Sequence, residues 1–202
     1  MKHRLSKGLA MLALSFGCAL AQADPAMYTA TLTGAAESPP NSSAATGNVT
    51  VVFDIDTHAL TLVASFSGLE GTTTAAHIHC CTALPGDGTA GVATMLPTFP
   101  GFPEGASSGV YGATFDTSQA EFWNPGFITN NGGSTATAEA ALLAALGAGT
   151  SYFNLHSTAY PGGEIRGFLA PPIPEPAQAV LLLAGLPLLL LRRVRRPGES
   201  DS

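Results

Sequence analysis

Apolar and polar side chains alternate most clearly over residues 48–56. Val49, Val51, Phe53 and Ile55 share one face; Thr50, Asp54 and Asp56 share the other. Residues 60–67 repeat the pattern, with Leu60, Leu62, Ala64 and Phe66 inward. A period of two in β-branched and aromatic residues predicts half-buried antiparallel strands. Asp56-Thr57-His58 between them predicts a hairpin turn. Five further strands are predicted over 28–32, 75–80, 109–115, 151–156 and 165–169, separated by Gly- and Pro-rich links such as 97–105. Residues 118–122 predict a helical turn, and alanine-rich 135–146 a short helix ended by Gly147 and Gly149. Many short strands joined by such turns predict an all-β fold, an antiparallel sandwich or barrel with one or two short helices. The predicted core holds Val49, Val51, Phe53, Ile55, Leu62, Phe66, Ile78, Phe153, Leu155 and Ile165.

The two ends show other patterns. Lys2, His3, Arg4 and Lys7 precede an apolar run over 9–20 and the small-residue site Ala21-Gln22-Ala23. That order predicts a signal peptide over 1–23, removed by signal peptidase. Lipoprotein processing at Cys18 is a rival, but Ser15-Phe16-Gly17 lacks the apolar residue such processing expects. At the other end, Pro174-Glu175-Pro176 stops the fold before it, since proline fixes φ and has no N–H. Next comes an apolar run over 177–191, short of the roughly 20 residues that span a bilayer. Arg192, Arg193, Arg195 and Arg196 would hold the C-terminus in the cytoplasm. An ordinary membrane anchor would look like this. Triplet, short run and arginines together resemble the PEP-CTERM sorting signal of Gram-negative bacteria. That resemblance implies cleavage by an exosortase-type protease and transit to the cell surface or matrix. The expected organisation is therefore a signal peptide over 1–23 and one domain over 24–172. A sorting signal with a short membrane helix over 173–196 and a cytoplasmic tail over 197–202 complete it.

Removing the ends sharpens the charge. Arg166 is the one lysine or arginine left among residues 24–172, beside Glu37, Asp54, Asp56, Asp87, Glu104, Asp116 and Glu164. Nucleic-acid binding needs cations against phosphates and is excluded as a function class. Cys80 and Cys81 are adjacent, and no other cysteine lies in this stretch. Two idle thiols, a disulfide within the pair, an intermolecular disulfide and thiolate metal ligands all remain open.

Two segments carry the candidate chemistry. In Ala76-His77-Ile78-His79-Cys80 the two histidines share a strand face while Ile78 enters the core. In Tyr152-Phe153-Asn154-Leu155-His156 the core takes Phe153 and Leu155, leaving Asn154 and His156 opposite. If the strands are neighbours, His77, His79 and His156 converge as ligands for copper or zinc, copper binding more tightly. The competing reading has each histidine hydrogen-bonded to backbone or carboxylate, holding loops. On the metal reading, binding should weaken on acidification through about pH 6.5, where free imidazole takes a proton. His58, in the hairpin, takes no part.

Residues 76–79, the glycine-rich stretch through Gly86-Asp87-Gly88 and Gly91-Val92, residues 152–157, and Pro161-Gly162-Gly163-Glu164-Ile165-Arg166-Gly167 resemble the CHRD (chordin) domain. The resemblance runs over roughly 27–169. It implies a sandwich of immunoglobulin-like type and no established activity. Cys80-Cys81-Thr82 stand where the family usually places a glycine. The His-x-His strand is also similar to copper/zinc superoxide dismutase, whose other ligands and disulfide are missing here.

Pro161-Gly162-Gly163 predicts a turn leading into a strand that carries Glu164 and Arg166 on one face. A lone semi-buried guanidinium needs a carboxylate or carbonyls, so a structural pin is favoured over an anion site. No nucleophile elbow, phosphate loop or His-Glu-x-x-His occurs. Asp54 and Asp56 read as a solvated face, and Trp123, Phe122 and Phe127 as packing under a loop rather than a sugar platform. Three functions remain: a non-catalytic surface or matrix module contacting exopolysaccharide or envelope components, a copper or zinc binder, and a superoxide-dismutase-like redox enzyme on that metal. The first is preferred, and catalysis is not expected.

Overall fold

Residues 24–172 are described by the computed structural model; the signal peptide, sorting signal and tail expected outside that range lie outside the described residues. Within them seven strands form: β1 (Ala26–Thr33), β2 (Thr46–Asp54), β3 (Ala59–Ser67), β4 (Thr73–His79), β5 (Gly109–Asp116), β6 (Tyr152–Ser157) and β7 (Ile165–Phe168). They build one curled antiparallel sheet in the order β4-β6-β7-β1-β2-β3-β5. The fold is all-β with few short helices, as the alternation predicts. Two groups of strands, β4-β6-β7 and β1-β2-β3-β5, meet at β7 and β1. There a single ladder pair, Thr33 with Arg166, is reinforced by a bridge from Thr29 to Ala170.

Nine of the ten predicted core residues are buried; Ile55 is the exception. It is half-buried in the turn after β2 rather than in the strand. Asp54 Oδ1 accepts the N–H groups of Asp56 and Thr57, which turns the chain before Ile55 can alternate inward. The link over 97–105 is more than a spacer. Its Phe99 and Phe102 are buried, and their ring centroids lie 6.4 Å from that of Phe153. Phe102 also stacks on Phe66.

Two helices come after β5. The first, α1 (Pro125–Asn130), has no counterpart in the sequence expectation. Asn124 caps it by accepting the Gly126 N–H, and Pro125 opens it. The second, α2 (Thr135–Ala148), starts at a Ser134–Thr137 capping box. It runs through Gly147 and ends where Gly149 takes the left-handed conformation, with φ 68°. Trp123, Phe122 and Phe127 are buried, and the Trp123 indole donates to the Thr117 carbonyl. Among the described residues no helix is long and apolar enough to cross a membrane.

Candidate metal centre

Strand alternation puts the histidines where they are. Pairing of β4 with β6 sets His77 opposite Asn154, His79 opposite Tyr152 and Ala75 opposite His156. Ile78, Phe153 and Leu155, on the other face, are fully buried in the core. His77 and His79 are buried and His156 is half-buried. Their ring centroids lie 5.5 Å (His77–His156), 5.9 Å (His77–His79) and 6.1 Å (His79–His156) apart. Each offers one ligand atom, and these three atoms lie within 4.8 Å of one another. An ion with bonds of 2.0–2.1 Å holds its nitrogens about 3.3–3.6 Å apart, so the rings need to close by about an ångström.

Backbone carbonyls settle which nitrogen of each ring is bare. His77 Nε2 lies 2.6 Å from the Pro97 carbonyl, His79 Nδ1 2.9 Å from that of Ala90, and His156 Nδ1 2.9 Å from that of Pro161. A carbonyl only accepts, so each of these nitrogens carries the proton. The remaining His77 Nδ1, His79 Nε2 and His156 Nε2 are buried and have no hydrogen-bond partner. A buried acceptor left unsatisfied costs about 1–3 kcal/mol, and here three occur in one cluster. Three loops therefore orient three lone pairs, the outer support that metal-bound imidazoles characteristically have.

Charge is disfavoured within the cluster. Burial holds all three imidazoles below their ordinary range. For His79, burial outweighs the Ala90 hydrogen bond and pushes the value down to about 4. Neutral imidazole is the form that binds a metal. His79 stacks on Tyr152 at 4.7 Å, and the Arg166 guanidinium lies 4.7 Å from the centre of the Tyr152 ring. Arg166 donates to the carbonyls of Ala36 and Gly88 and lies 3.9 Å from the Glu37 carboxylate. Glu164 has other partners: Ser43 donates to its Oε1 at 2.7 Å, as does the Glu70 N–H. Burial raises Glu164, but hydrogen bonds from Ser157, Ser43, Glu70 and Gly71 outweigh it and leave the group below its usual range. Glu37 goes the other way. Burial raises it to about 7 against the pull of Arg166 and the Ser38 N–H.

The adjacent cysteines form a disulfide with each other, across a cis Cys80–Cys81 peptide. This settles the alternatives the sequence leaves open and takes both sulfurs out of any thiolate ligand set. His58 stands apart from the cluster. Its Nδ1 meets the Glu139 carboxylate of α2 at 3.0 Å, tying the β2–β3 hairpin to the helix. Sequence reasoning misses the supporting partners: the carbonyls of Pro97, Ala90 and Pro161 and the stacked Tyr152. Backbone carbonyls leave no mark in residue identity.

No curated protein and no solved structure matches the chain. The CHRD domain matches residues 28–169, which take in β2 to β7 whole and nearly all of β1. The chain belongs to the CHRD domain family, a membership that points to a non-enzymatic extracellular or binding module.

Proposed function

We propose that this chain is an exported binding module of the bacterial surface or exopolysaccharide matrix whose three-histidine cluster holds one first-row metal ion. Three buried, partnerless imidazole nitrogens converging from two strands carry this reading. Copper is favoured over zinc because an open nitrogen site follows the general affinity order of divalent metals. His77, His79 and His156 would hold the ion, each in the tautomer its loop carbonyl imposes. The bound metal would supply affinity for a further ligand or cross-link. The stack of Tyr152 and Arg166 would limit water on one side. The scaffold is proposed as a sandwich of immunoglobulin-like or superoxide-dismutase-like type, because the curled sheet brings two strand groups around one core.

Export forms part of the same reading. Signal peptidase would act after Ala23, and an exosortase-type protease would recognise Pro174, Glu175 and Pro176. Elemental analysis of protein purified without chelator tests the metal, together with copper titration of wild type against His79→Ala. The expected outcome is one copper per chain and affinity at least about tenfold weaker in the variant, a change of about 1.4 kcal/mol. Equal affinities at matched folding, checked by circular dichroism, would reduce the histidines to a structural role.

A further inference from the structure

Cys80 and Cys81 lie immediately after His79, at the end of β4. Cys80 joins Ile78 on the core side and is buried, whereas Cys81 is exposed. Both line a cavity of about 350 Å³ together with Gly91, Val92, Phe127 and Asn131. Its walls combine a disulfide, an aromatic ring and amide or backbone groups, with no charged side chain among the lining residues. That volume is at the lower end of the range for small-molecule sites. Asn131 is committed to the Phe127 carbonyl and the Cys80 N–H to the Gly91 carbonyl, so the backbone framing the sulfurs is fixed. The metal cluster makes no use of these sulfurs.

We propose that this cavity admits a small uncharged thiol, and that the Cys80–Cys81 disulfide exchanges with it. A thiolate attacks the Cys81 sulfur in line with the sulfur–sulfur bond, and Cys80 leaves as a thiolate that takes up a proton. The mixed disulfide on Cys81 is resolved by a second thiol. The small thiol leaves oxidised as its own disulfide, and Cys81 becomes a free thiol. Two electrons and two protons pass from two small thiols to the cysteine pair, and the balance closes without any further oxidant. Under this proposal the cavity selects the attacking partner: a thiol small enough to enter it reacts with the pair faster than one that is not. The site is independent of the metal reading and stands if that reading fails.

The experiment uses the full chain with 2-mercaptoethanol as the small thiol and a thiol-terminated polyethylene glycol as the large one. Peptide mass mapping tracks the Cys80–Cys81 pair separately from Cys18. In the native state the small thiol should open the pair and leave a trappable adduct on Cys81. The polymer thiol should be slower by about tenfold more than it is against the urea-unfolded chain, an extra barrier of about 1.4 kcal/mol. Gly91→Phe, which adds a ring at a position where a Cβ meets nothing within 4 Å, should slow the small thiol at an unchanged thermal midpoint. If Gly91→Phe does not fold, the comparison of thiol sizes on wild type decides alone. Resistance of the native pair to both thiols overturns the proposal, as does the same rate ratio in native and unfolded protein.

Discussion

A protonated His79 is poorly tolerated in the folded chain, because burial strips its charge of water and offers no carboxylate in return. Its folded value of about 4 lies below the ordinary 6.5. The stability this contributes is present above 6.5 and is lost as pH falls through the folded value. His77 and His156 act in the same direction. Glu37 acts oppositely. Its value of about 7 lies above the ordinary 4.5, so its contribution is full below 4.5 and lost as pH rises through 7. Over pH 7 to pH 4 the two contributions oppose each other, so urea unfolding of metal-free Glu37→Gln protein should show the fall in stability that the histidines cause. His79→Gln should remove about 3 kcal/mol of that fall. Glu37→Gln should abolish the loss that accompanies the rise through pH 7. An unchanged acid slope in His79→Gln would mean that the ring is solvated. The same burial acts on proton competition at all three imidazoles, moving it below the ordinary range in which metal binding is expected to weaken.

At the scale of elements, the seam between β7 and β1 decides whether the histidine strands stay attached to the larger group. Gly167 lies there with no room for a side chain. A Cβ would sit 2.3 Å from the Thr31 carbonyl and 3.0 Å from the Ala30 side chain. Since backbone must give way, Gly167→Ala should cost on the order of 1–3 kcal/mol. Gly112→Ala on β5, where a Cβ meets nothing within 4 Å, should cost little. Thermal midpoints of the two variants check this, and equal midpoints would show that the seam relaxes freely. The strands on both sides were legible in the sequence because period-two patterning states the face directly. Val49, Val51 and Phe53 needed nothing more. His77 and His79 were legible as a pair for the same reason, and His156 as their partner if β4 and β6 met. The illegible features depend on partners far along the chain or on a local side chain that overrides the pattern. Ile55 continues the alternation, yet the Asp54 side chain turns the backbone first. The link over 97–105 reads as a spacer until Phe99 and Phe102 meet Phe153. The disulfide was one option among four, since adjacency of Cys80 and Cys81 does not state their redox partner.

The molecule as a whole separates its charges by position. Every lysine and arginine but Arg166 lies in 1–23 or 173–202, while most carboxylates lie between. Arg166 is itself buried against the carbonyls of Ala36 and Gly88, so it adds little positive field at the surface. The folded portion therefore presents an acidic surface, which attracts metal cations and repels anionic lipid and nucleic acid. Its basic ends serve a different task under the export proposal: they orient the chain in the inner membrane and are then removed. The full chain carries a formal net charge of −6. Loss of seven of its eight lysines and arginines makes the product more acidic still, so processing is readable by charge as well as by mass. Intact-mass measurement and isoelectric focusing of protein from the native envelope should show a chain beginning at Asp24, lacking Arg192 to Arg196, and focusing below the full-length pI of about 5.2. Replacing Pro174, Glu175 and Pro176 together by alanine should leave the C-terminal arginines attached and the protein in the inner membrane. A native product that still ends at Ser202 would contradict the sorting reading. It would leave the histidine cluster untouched, because every residue of that cluster lies between 77 and 156.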